Sequence, residues 1–195
     1  MTDKFRLGLV GGIASGKSTV AGFLRDRGWA IVDADKVAHE VYAPGTDTVD
    51  SIRSLFGAGV VLPDGSVDRK ALGTIVFSDP EALKRLEALV HPATRERIAL
   101  RMDEEAARRG KVVLEMTLLY RWPEMASKLD SVVGVRCPDE IRLDRLVARS
   151  GLDRAEALRR LAAQVAQERI LAPAAHVLDN AGTVDDLERG IARFL

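Results

Sequence analysis

Residues 11–18 read Gly-Gly-Ile-Ala-Ser-Gly-Lys-Ser, which matches the phosphate-binding pattern G-x-x-x-x-G-K-[ST] at every fixed position. Apolar residues at 7, 9 and 10 precede this stretch, and apolar residues at helical spacing follow it. The pattern therefore lies where a buried strand becomes a helix. In such a loop, successive backbone N–H groups point at phosphate oxygens, and the start of the helix adds its positive dipole end.

The chemistry of this loop predicts a role for two side chains. Lys17 is expected to reach the outer phosphates of a bound nucleotide, and the Ser18 hydroxyl is expected to hold Mg²⁺. The glycines at 11, 12 and 16 allow the backbone conformations and the close approach that phosphate binding requires. The alternative is a glycine-rich turn that binds nothing, and the position of the full pattern between strand and helix argues against it.

Composition limits the other function classes. The chain of 195 residues fits one domain with elaborations. Its 29 Lys and Arg residues balance 29 Asp and Glu residues, so general nucleic-acid binding is not expected. Cys137 is the only cysteine, which excludes an intramolecular disulfide, and the N-terminus lacks the apolar stretch of a signal peptide or membrane helix. We therefore expect a cytoplasmic protein that does not bind membranes.

A pair of acids follows the second predicted strand. Residues 29–32 are apolar and lead directly into Asp33-Ala34-Asp35, so the carboxylates end a strand beside the phosphate loop if the sheet is parallel. Residues two apart in an extended segment point the same way, and such a pair can bind a metal or accept a proton. The alternative for Asp35 is that it caps the following helix, whereas Asp33 lies outside that helix.

Between residues 44 and 109 the pattern changes to successive helices. Pro80 opens one of them, with an acid on each side of the proline. His91-Pro92 is expected to start a separate long polar helix, because proline suits the first turn. Taken alone, His91 would then be a boundary residue. This helical stretch interrupts the strands of the sheet.

The later strands place one more acid at a strand end. Residues 111–115 form an apolar run that ends in Glu115, where a phosphate-loop protein normally has its second magnesium-organising carboxylate. Residues 131–135 and 176–178 are the next two strand candidates, and residues 184–194 form a C-terminal amphipathic helix.

Two helices joined near residue 150 lie between the last two strands. Arg142, Arg145 and Arg149 are three and four residues apart and are expected to form one cationic edge that fits a triphosphate. The alternative is a row of solvated arginines. Asp153 begins the second helix, for which the predicted apolar face is Leu158, Leu161, Ala162 and Val165.

Together these motifs resemble the dephospho-coenzyme A kinase family along nearly the whole chain. The phosphate loop alone indicates only the P-loop kinase superfamily. The combination is more specific: Asp33-Ala34-Asp35, Asp68-Arg69, Val76-Phe77, Val90-His91-Pro92, Leu118-Leu119, the segment from 149 to 164, and Asp179-Asn180.

The resemblance implies transfer of the ATP γ-phosphoryl group to the ribose 3′-hydroxyl of dephospho-coenzyme A, the last step of coenzyme A synthesis. It implies ATP and Mg²⁺ as the cofactors, with Glu115 holding the metal through water. Asp33 would be the base, Arg69 and His91 would help to bind the acceptor, and Arg145 and Arg149 would reach the phosphates from a closing lid. The nucleotide would be bound by Gly12, Ile13, Ala14, Ser15, Gly16, Lys17, Ser18, Thr19 and Asn180.

Some positions depart from the family pattern. The family usually reads Asp-x-Pro-Leu-Leu-(Phe/Tyr)-Glu after the third strand, whereas residues 115–121 read Glu-Met-Thr-Leu-Leu-Tyr-Arg. Arg121 thus replaces an acid and puts the local acceptor contacts in question. Ala14 stands where glycine is commoner, and His176 stands where an Asp is expected.

We therefore predict an α/β fold: a P-loop kinase-like parallel sheet of about five strands flanked by helices, with a helical acceptor-binding insertion and a lid. The core of this single domain is predicted to consist of residues 1–43, 110–137 and 174–195. The insertion is 44–109, and the lid is 138–173. We expect a monomer, with oligomers left open. The alternative functions are a kinase for another nucleotide or small metabolite, and a nucleotide-binding regulator that has lost transfer.

Overall fold

The structure, a computed structural model, describes residues 4–195 and contains one parallel β-sheet. Its strands are β1 (Phe5–Gly11), β2 (Ala30–Asp33), β3 (Lys111–Glu115), β4 (Ser131–Arg136) and β5 (His176–Asp179). The strand order is β2-β3-β1-β4-β5, and every neighbouring pair is parallel. The predicted five-stranded α/β fold is confirmed, and all carboxyl ends of the strands lie at the same edge.

Ten α-helices occur in the described part of the chain. They are α1 (Lys17–Asp26), α2 (Ala34–Val41), α3 (Asp47–Phe56), α4 (Arg69–Ser78), α5 (Pro80–Arg109), α6 (Pro123–Ala126), α7 (Asp139–Ser150), α8 (Arg154–Ala162), α9 (Gln167–Leu171) and α10 (Val184–Phe194). Short 3₁₀ turns occupy Ala58–Val60 and Leu119–Arg121. Helix α10 begins with a reciprocal cap, in which Thr183 N donates to Asp186 Oδ2 at 2.9 Å and Asp186 N donates to Thr183 Oγ1 at 3.2 Å.

The chain divides into two compact units. The first contains the chain up to Asp33 and from Met102 to Leu195, and the second is Ala34–Arg101. The predicted insertion, 44–109, overlaps most of the second unit but starts and ends later. The assignment to a single domain with a core, an insertion and a lid stays a prediction.

The core of the first unit surrounds β1. Leu7, Leu9 and Val113 from the sheet are fully buried with Leu24 of α1 and Ile191 of α10. The strands read as nearly continuous apolar runs because helices cover both faces of a parallel sheet. This packing fixes where β1 ends and α1 begins, which sets the position of the loop between them.

The second unit has its own core, built from helices. Ile52 of α3, Leu72 and Val76 of α4, and Leu86 and Val90 of α5 are buried together. Helix α4 begins at a cap in which Asp68 Oδ1 accepts from the N–H groups of Lys70 and Ala71, both at 3.0 Å.

The prediction of a new helix at His91-Pro92 was wrong, because α5 is one helix of 30 residues with Pro92 inside it. Proline lacks the amide that would bond to the carbonyl of Ala88, and its ring crowds that carbonyl, but a buried residue recurs at every fourth position through the whole helix. Tertiary burial of this stripe therefore keeps the helix continuous. The stripe consists of Ala82, Leu86, Val90, Thr94, Ile98, Met102 and Ala106.

The predicted apolar face of α8 was partly wrong. Ala157 is the buried residue of this helix, and Leu161 packs against the same cluster. Leu158 and Val165 are exposed. A small residue is buried here because α7 and α8 pack closely, which composition alone does not reveal.

No helix within residues 4–195 combines the length and the apolar character that crossing a bilayer requires.

A cavity in the core of the first unit should strongly lower the stability of the protein. Leu24 is fully buried, so Leu24→Ala is expected to lower the free energy of unfolding by about 2–5 kcal/mol. Leu158→Ala is the matched control, because Leu158 is 56% exposed and its loss should change stability by less than about 0.5 kcal/mol. Urea unfolding followed by circular dichroism measures both, and equal effects would contradict this packing.

Candidate active site

The phosphate loop connects the buried end of β1 to the first turn of α1. Gly16 stands directly before α1 with φ 105°, and no side chain caps this helix. The amide groups at its start are thus not covered by a side-chain acceptor, as an anion site requires. Ala14 has φ 57° and is the only non-glycine residue at positive φ among residues 4–195. Alanine in this conformation costs about 1–2 kcal/mol, so the surrounding contacts must hold it there.

Lys17 lies against the loop from which it starts. Its Nζ donates to the carbonyl oxygen of Gly11 at 2.7 Å and to that of Gly12 at 3.2 Å. The ammonium group is half-buried beside the backbone that would surround a phosphate. A compact cation in this place can neutralise phosphate charge.

Ser18 and Glu115, the two residues that the sequence predicted to hold Mg²⁺, lie in contact. Ser18 Oγ donates to Glu115 Oε1 at 3.1 Å, which joins the first turn of α1 to the end of β3. Both groups offer the oxygen ligands that Mg²⁺ prefers, and Mg²⁺ usually takes only one or two protein ligands together with phosphates and water. Within residues 4–195, no group of three or more His, Cys, Asp and Glu side chains is placed to hold a metal ion.

Asp33 ends the strand next to the one that Glu115 ends. The two residues are register partners in the parallel pair of β2 and β3. Helix α2 begins at Ala34, so Asp33 lies outside the helix as expected. The alternative that Asp35 caps this helix was wrong, because Asp35 lies within its first turn.

Asn180 follows β5 and lies under the phosphate loop. It is 4% exposed, and its Nδ2 donates to the carbonyl oxygen of Ser15 at 2.7 Å. A Cβ at Gly16 would lie 2.1 Å from that Nδ2, so Gly16 is required both for its φ and for space. The side chain predicted to approach the nucleotide thus holds the loop backbone.

The three arginines of α7 differ in exposure and in their hydrogen-bond partners. Arg142 is buried and its Nε donates to the carbonyl oxygen of Ile13 at 2.9 Å. Arg145 is half-buried and donates to Cys137 Sγ at 3.4 Å and to Asn180 Oδ1 at 3.3 Å. Only Arg149 is exposed. The difference arises because α7 packs against the loop through the face that carries Arg142.

Two contacts of this region had no signal in the sequence. Gln164 Oε1 accepts from the Ile13 amide at 2.9 Å, although the two residues are 151 positions apart. Cys137 is buried beside Arg145, and burial raises the pKa of its thiol while the nearby Arg145 and Arg142 guanidinium groups oppose that shift. The thiol therefore stays protonated, and its sulfur is a weak acceptor for Arg145.

The second unit contains the predicted acceptor residues Arg69 and His91. Arg69 is exposed at the start of α4, its Nη1 lies 3.0 Å from His39 Nε2, and its Cζ lies 5.4 Å from the centre of the Tyr42 ring. Burial raises the pKa of Tyr42, and the charge of Arg69 opposes this shift. His91 lies inside α5, so the alternative that it marks a helix boundary was wrong. Sequence reasoning missed His39 and Tyr42.

The departure from the family pattern at 115–121 leaves the contact between Ser18 and Glu115 in place. Glu115 makes the Ser18 contact despite its extra methylene group. Tyr120 lies under the Arg169 guanidinium, with Cζ 5.1 Å from the ring centre. Arg121 ends the 3₁₀ turn and is exposed.

Removing the donor of Asn180 should loosen the loop. Asn180→Asp replaces the buried N–H group with an acceptor facing the Ser15 carbonyl, so the free energy of unfolding should fall by about 1–3 kcal/mol. The neighbouring Asp179→Asn is the control, since it removes a mostly exposed ion pair with Arg136 worth about 0–1 kcal/mol. Chemical denaturation of both variants makes the comparison. A smaller loss for Asn180→Asp than for Asp179→Asn would contradict the proposed support of the loop.

Comparisons with known proteins identify the family of this chain. A family model described as dephospho-CoA kinase matches residues 5–186. The dephospho-CoA kinase of Geobacter sulfurreducens is 45% identical over 185 residues, which cover 95% of this chain and 94% of the relative. That of Anaeromyxobacter dehalogenans is 45% identical over 194 residues, which cover 97% of this chain and 90% of the relative.

Solved structures share the fold. The dephospho-CoA kinase from Campylobacter jejuni superposes with a TM-score of 0.73 at 27% identity, covering 97% of this chain and 94% of the other. A crystal structure from Thermus thermophilus gives a TM-score of 0.78 at 38% identity, covering 98% and 96%. A shikimate kinase from Acinetobacter baumannii, at 17% identity and a TM-score of 0.53 with 99% and 93% coverage, is similar in fold alone.

Proposed function

Because the chain belongs to the dephospho-CoA kinase family, we propose that it transfers the γ-phosphoryl group of ATP to the ribose 3′-hydroxyl of dephospho-coenzyme A. It is thus a phosphotransferase with an alcohol acceptor and catalyses the last step of coenzyme A synthesis. The observation that carries this proposal is the convergence of Ser18, Glu115 and Asp33 beside the phosphate loop. These are the groups that a phosphoryl transfer to a hydroxyl needs in one place.

The phosphate loop binds the triphosphate through its backbone and through Lys17. The candidate nucleotide residues, Gly12 to Thr19, lie between β1 and the first turns of α1. Lys17 exchanges its contacts with the Gly11 and Gly12 carbonyl oxygens for contacts with phosphate oxygens. This exchange is favourable because a phosphate carries full negative charge and a carbonyl oxygen only a partial one.

Ser18 and Glu115 would hold Mg²⁺, Ser18 directly and Glu115 through water. The metal, when bound, neutralises charge on the phosphate oxygens and keeps the transferring group in line. The 3.1 Å contact between Ser18 Oγ and Glu115 Oε1 supports this assignment, since it keeps two oxygen ligands together.

Asp33 acts as the base. The acceptor hydroxyl donates its hydrogen bond to the carboxylate, which orients the oxygen toward the γ-phosphorus and takes the proton as the new bond forms. Asp33 is half-buried at the rigid end of a strand. Its position is therefore set by the sheet and not by a mobile loop.

The proposal also assigns roles to residues of the second unit and of α7. Arg69 contributes a cation for the acceptor, and its side chain is oriented by the His39 contact and by the Tyr42 ring. His91 contributes a second acceptor contact from α5. Arg145 and Arg149 approach the phosphates when the predicted lid, 138–173, closes. Asn180 acts on the nucleotide through the loop.

We further propose a cytoplasmic location. The single cysteine supports a reducing compartment, since Cys137 has no intramolecular partner. A monomeric state stays a prediction.

An acceptor panel tests the proposed function. The protein should consume ATP with dephospho-coenzyme A and not with nucleoside monophosphates or shikimate, as measured by coupled ADP release. Lys17→Ala is the negative control, because it keeps the fold and removes the cation that binds the outer phosphates. Preference for another acceptor would indicate a different kinase, and ATP binding without turnover would indicate a regulator. Either result contradicts the proposal.

A second prediction separates the base from the metal ligand. Asp33→Asn keeps the size of the side chain but cannot accept a proton, so kcat should fall by about 10²- to 10⁴-fold at every Mg²⁺ concentration. Glu115→Gln is the matched comparison, and its loss should be largely recovered at high Mg²⁺ because only metal affinity is weakened. Steady-state kinetics across a Mg²⁺ series measure both. Recovery of Asp33→Asn at high Mg²⁺ would make Asp33 a metal organiser instead.

A further inference from the structure

We infer that Arg142 and Gln164 are positioning residues that hold the phosphate loop, through the backbone of Ile13, in the conformation that binds ATP. This inference rests on the proposed function only in taking ATP as the ligand of the loop. Neither side chain needs to touch the nucleotide. Both act through a peptide unit inside the loop.

The contacts form a closed ring around Ile13. The Ile13 amide donates to Gln164 Oε1 at 2.9 Å, and the Ile13 carbonyl oxygen accepts from Arg142 Nε at 2.9 Å. Arg142 Nη2 closes the ring by donating to the same Gln164 Oε1 at 2.8 Å. Two side chains thus satisfy both backbone polar groups of one loop residue, which belongs to no strand or helix.

The guanidinium group is built into this place. The Arg142 side chain is 5% exposed, and its third nitrogen, Nη1, donates to Asp139 Oδ1 at 2.8 Å. Asp139 itself is 80% exposed, so most of the charge compensation within the buried part comes from the Ile13 and Gln164 oxygens. A planar fork with donors in fixed directions fits these acceptors, whereas a lysine ammonium does not. Burying a charged guanidinium group costs free energy of desolvation. The presence of a buried Arg142 in spite of that cost indicates a positional role.

Gly12 provides an independent observation. A Cβ at this residue would lie 2.5 Å from Arg142 Nη2 and 3.1 Å from Gln164 Oε1. Gly12 is not among the glycines with positive φ, so its conformation does not require glycine. The space is needed for the two side chains, which means that the loop is shaped to receive them.

Packing supports the same function. Ile13 and Ala14 pack against a buried cluster of Leu143, Leu146 and Ala157 from α7 and α8. This contact and the Ile13 hydrogen bonds together hold Ala14 at its positive φ. A loop already held in its binding conformation does not lose that conformational entropy when it binds phosphate, so ATP binds more tightly.

Binding measurements without an acceptor test the inference. Arg142→Met and Gln164→Leu remove the hydrogen bonds while keeping side-chain length or size, and each should raise the Kd for MgATP by about 10-fold, the equivalent of one to two lost hydrogen bonds. Arg159→Met is the matched control, because Arg159 is an exposed arginine on α8 and its replacement should leave the Kd unchanged. Titration calorimetry gives the Kd values, and circular dichroism checks the fold.

The double variant distinguishes positioning from direct contact. If both side chains act through Ile13, Arg142→Met with Gln164→Leu should weaken ATP binding little more than either change alone. Additive losses would mean that Arg142 contacts the nucleotide itself and would overturn the inference. The KM for dephospho-coenzyme A should stay unchanged in each variant while the KM for ATP rises, which a general loss of stability would not produce.

Hydrogen exchange at the Ile13 amide gives a direct readout. Gln164→Leu should accelerate exchange at this amide, because its acceptor is removed. If Arg142→Met does not fold, Gln164→Leu decides the question alone. An unchanged Kd for ATP in folded Gln164→Leu would overturn the inference. Because these readouts use ATP without an acceptor, they stand even if the acceptor is not dephospho-coenzyme A.

Discussion

All five strands run parallel, and this single constraint gathers the site residues of the first unit at one edge of the sheet. The phosphate loop follows β1, Asp33 ends β2 and Glu115 ends β3. Cys137 and Asn180 follow β4 and β5. The strand ends thus bring the candidate site residues together, and apolar packing under the sheet fixes their separations. The positions of the reacting groups can be tightly fixed because these residues lie on the most rigid elements of the fold.

Residues 12–15 of the loop belong to no strand or helix, and side chains from other elements bond to their backbone. Asn180 supports Ser15 from the β5 side, and Arg142 with Gln164 supports Ile13 from the side of α7 and α8. Glycine at 12 and 16 is required where these side chains approach most closely. The glycines of the phosphate-binding pattern therefore serve two purposes. They let the ligand approach the loop, and they leave space for the side chains that surround it.

The features of the fold and of the candidate site that depend on local patterns could be predicted from the sequence. The phosphate loop and the strand-end acids Asp33 and Glu115 follow from apolar runs and turn chemistry, which short windows reveal. What depended on distant packing was missed or wrong. Pro92 stays inside a helix because burial outweighs its lost hydrogen bond, and Arg142 turns inward because Ile13, 129 positions away, offers it a carbonyl. Neither contact has a periodicity that the sequence could show. The family resemblance supplied the acceptor, which local patterns could not identify.

A crystal structure of the protein with Mg²⁺, a non-hydrolysable ATP analogue and dephospho-coenzyme A tests most directly the claim that this sheet edge assembles the transfer site. We expect Ser18 Oγ to be a metal ligand at about 2.0–2.1 Å, with Glu115 linked to the metal through water. It also predicts the ribose 3′-hydroxyl within about 2.6–3.2 Å of an Asp33 carboxylate oxygen. A metal held away from Ser18 and Glu115, or an acceptor whose 3′-hydroxyl faces a group other than Asp33, would contradict it.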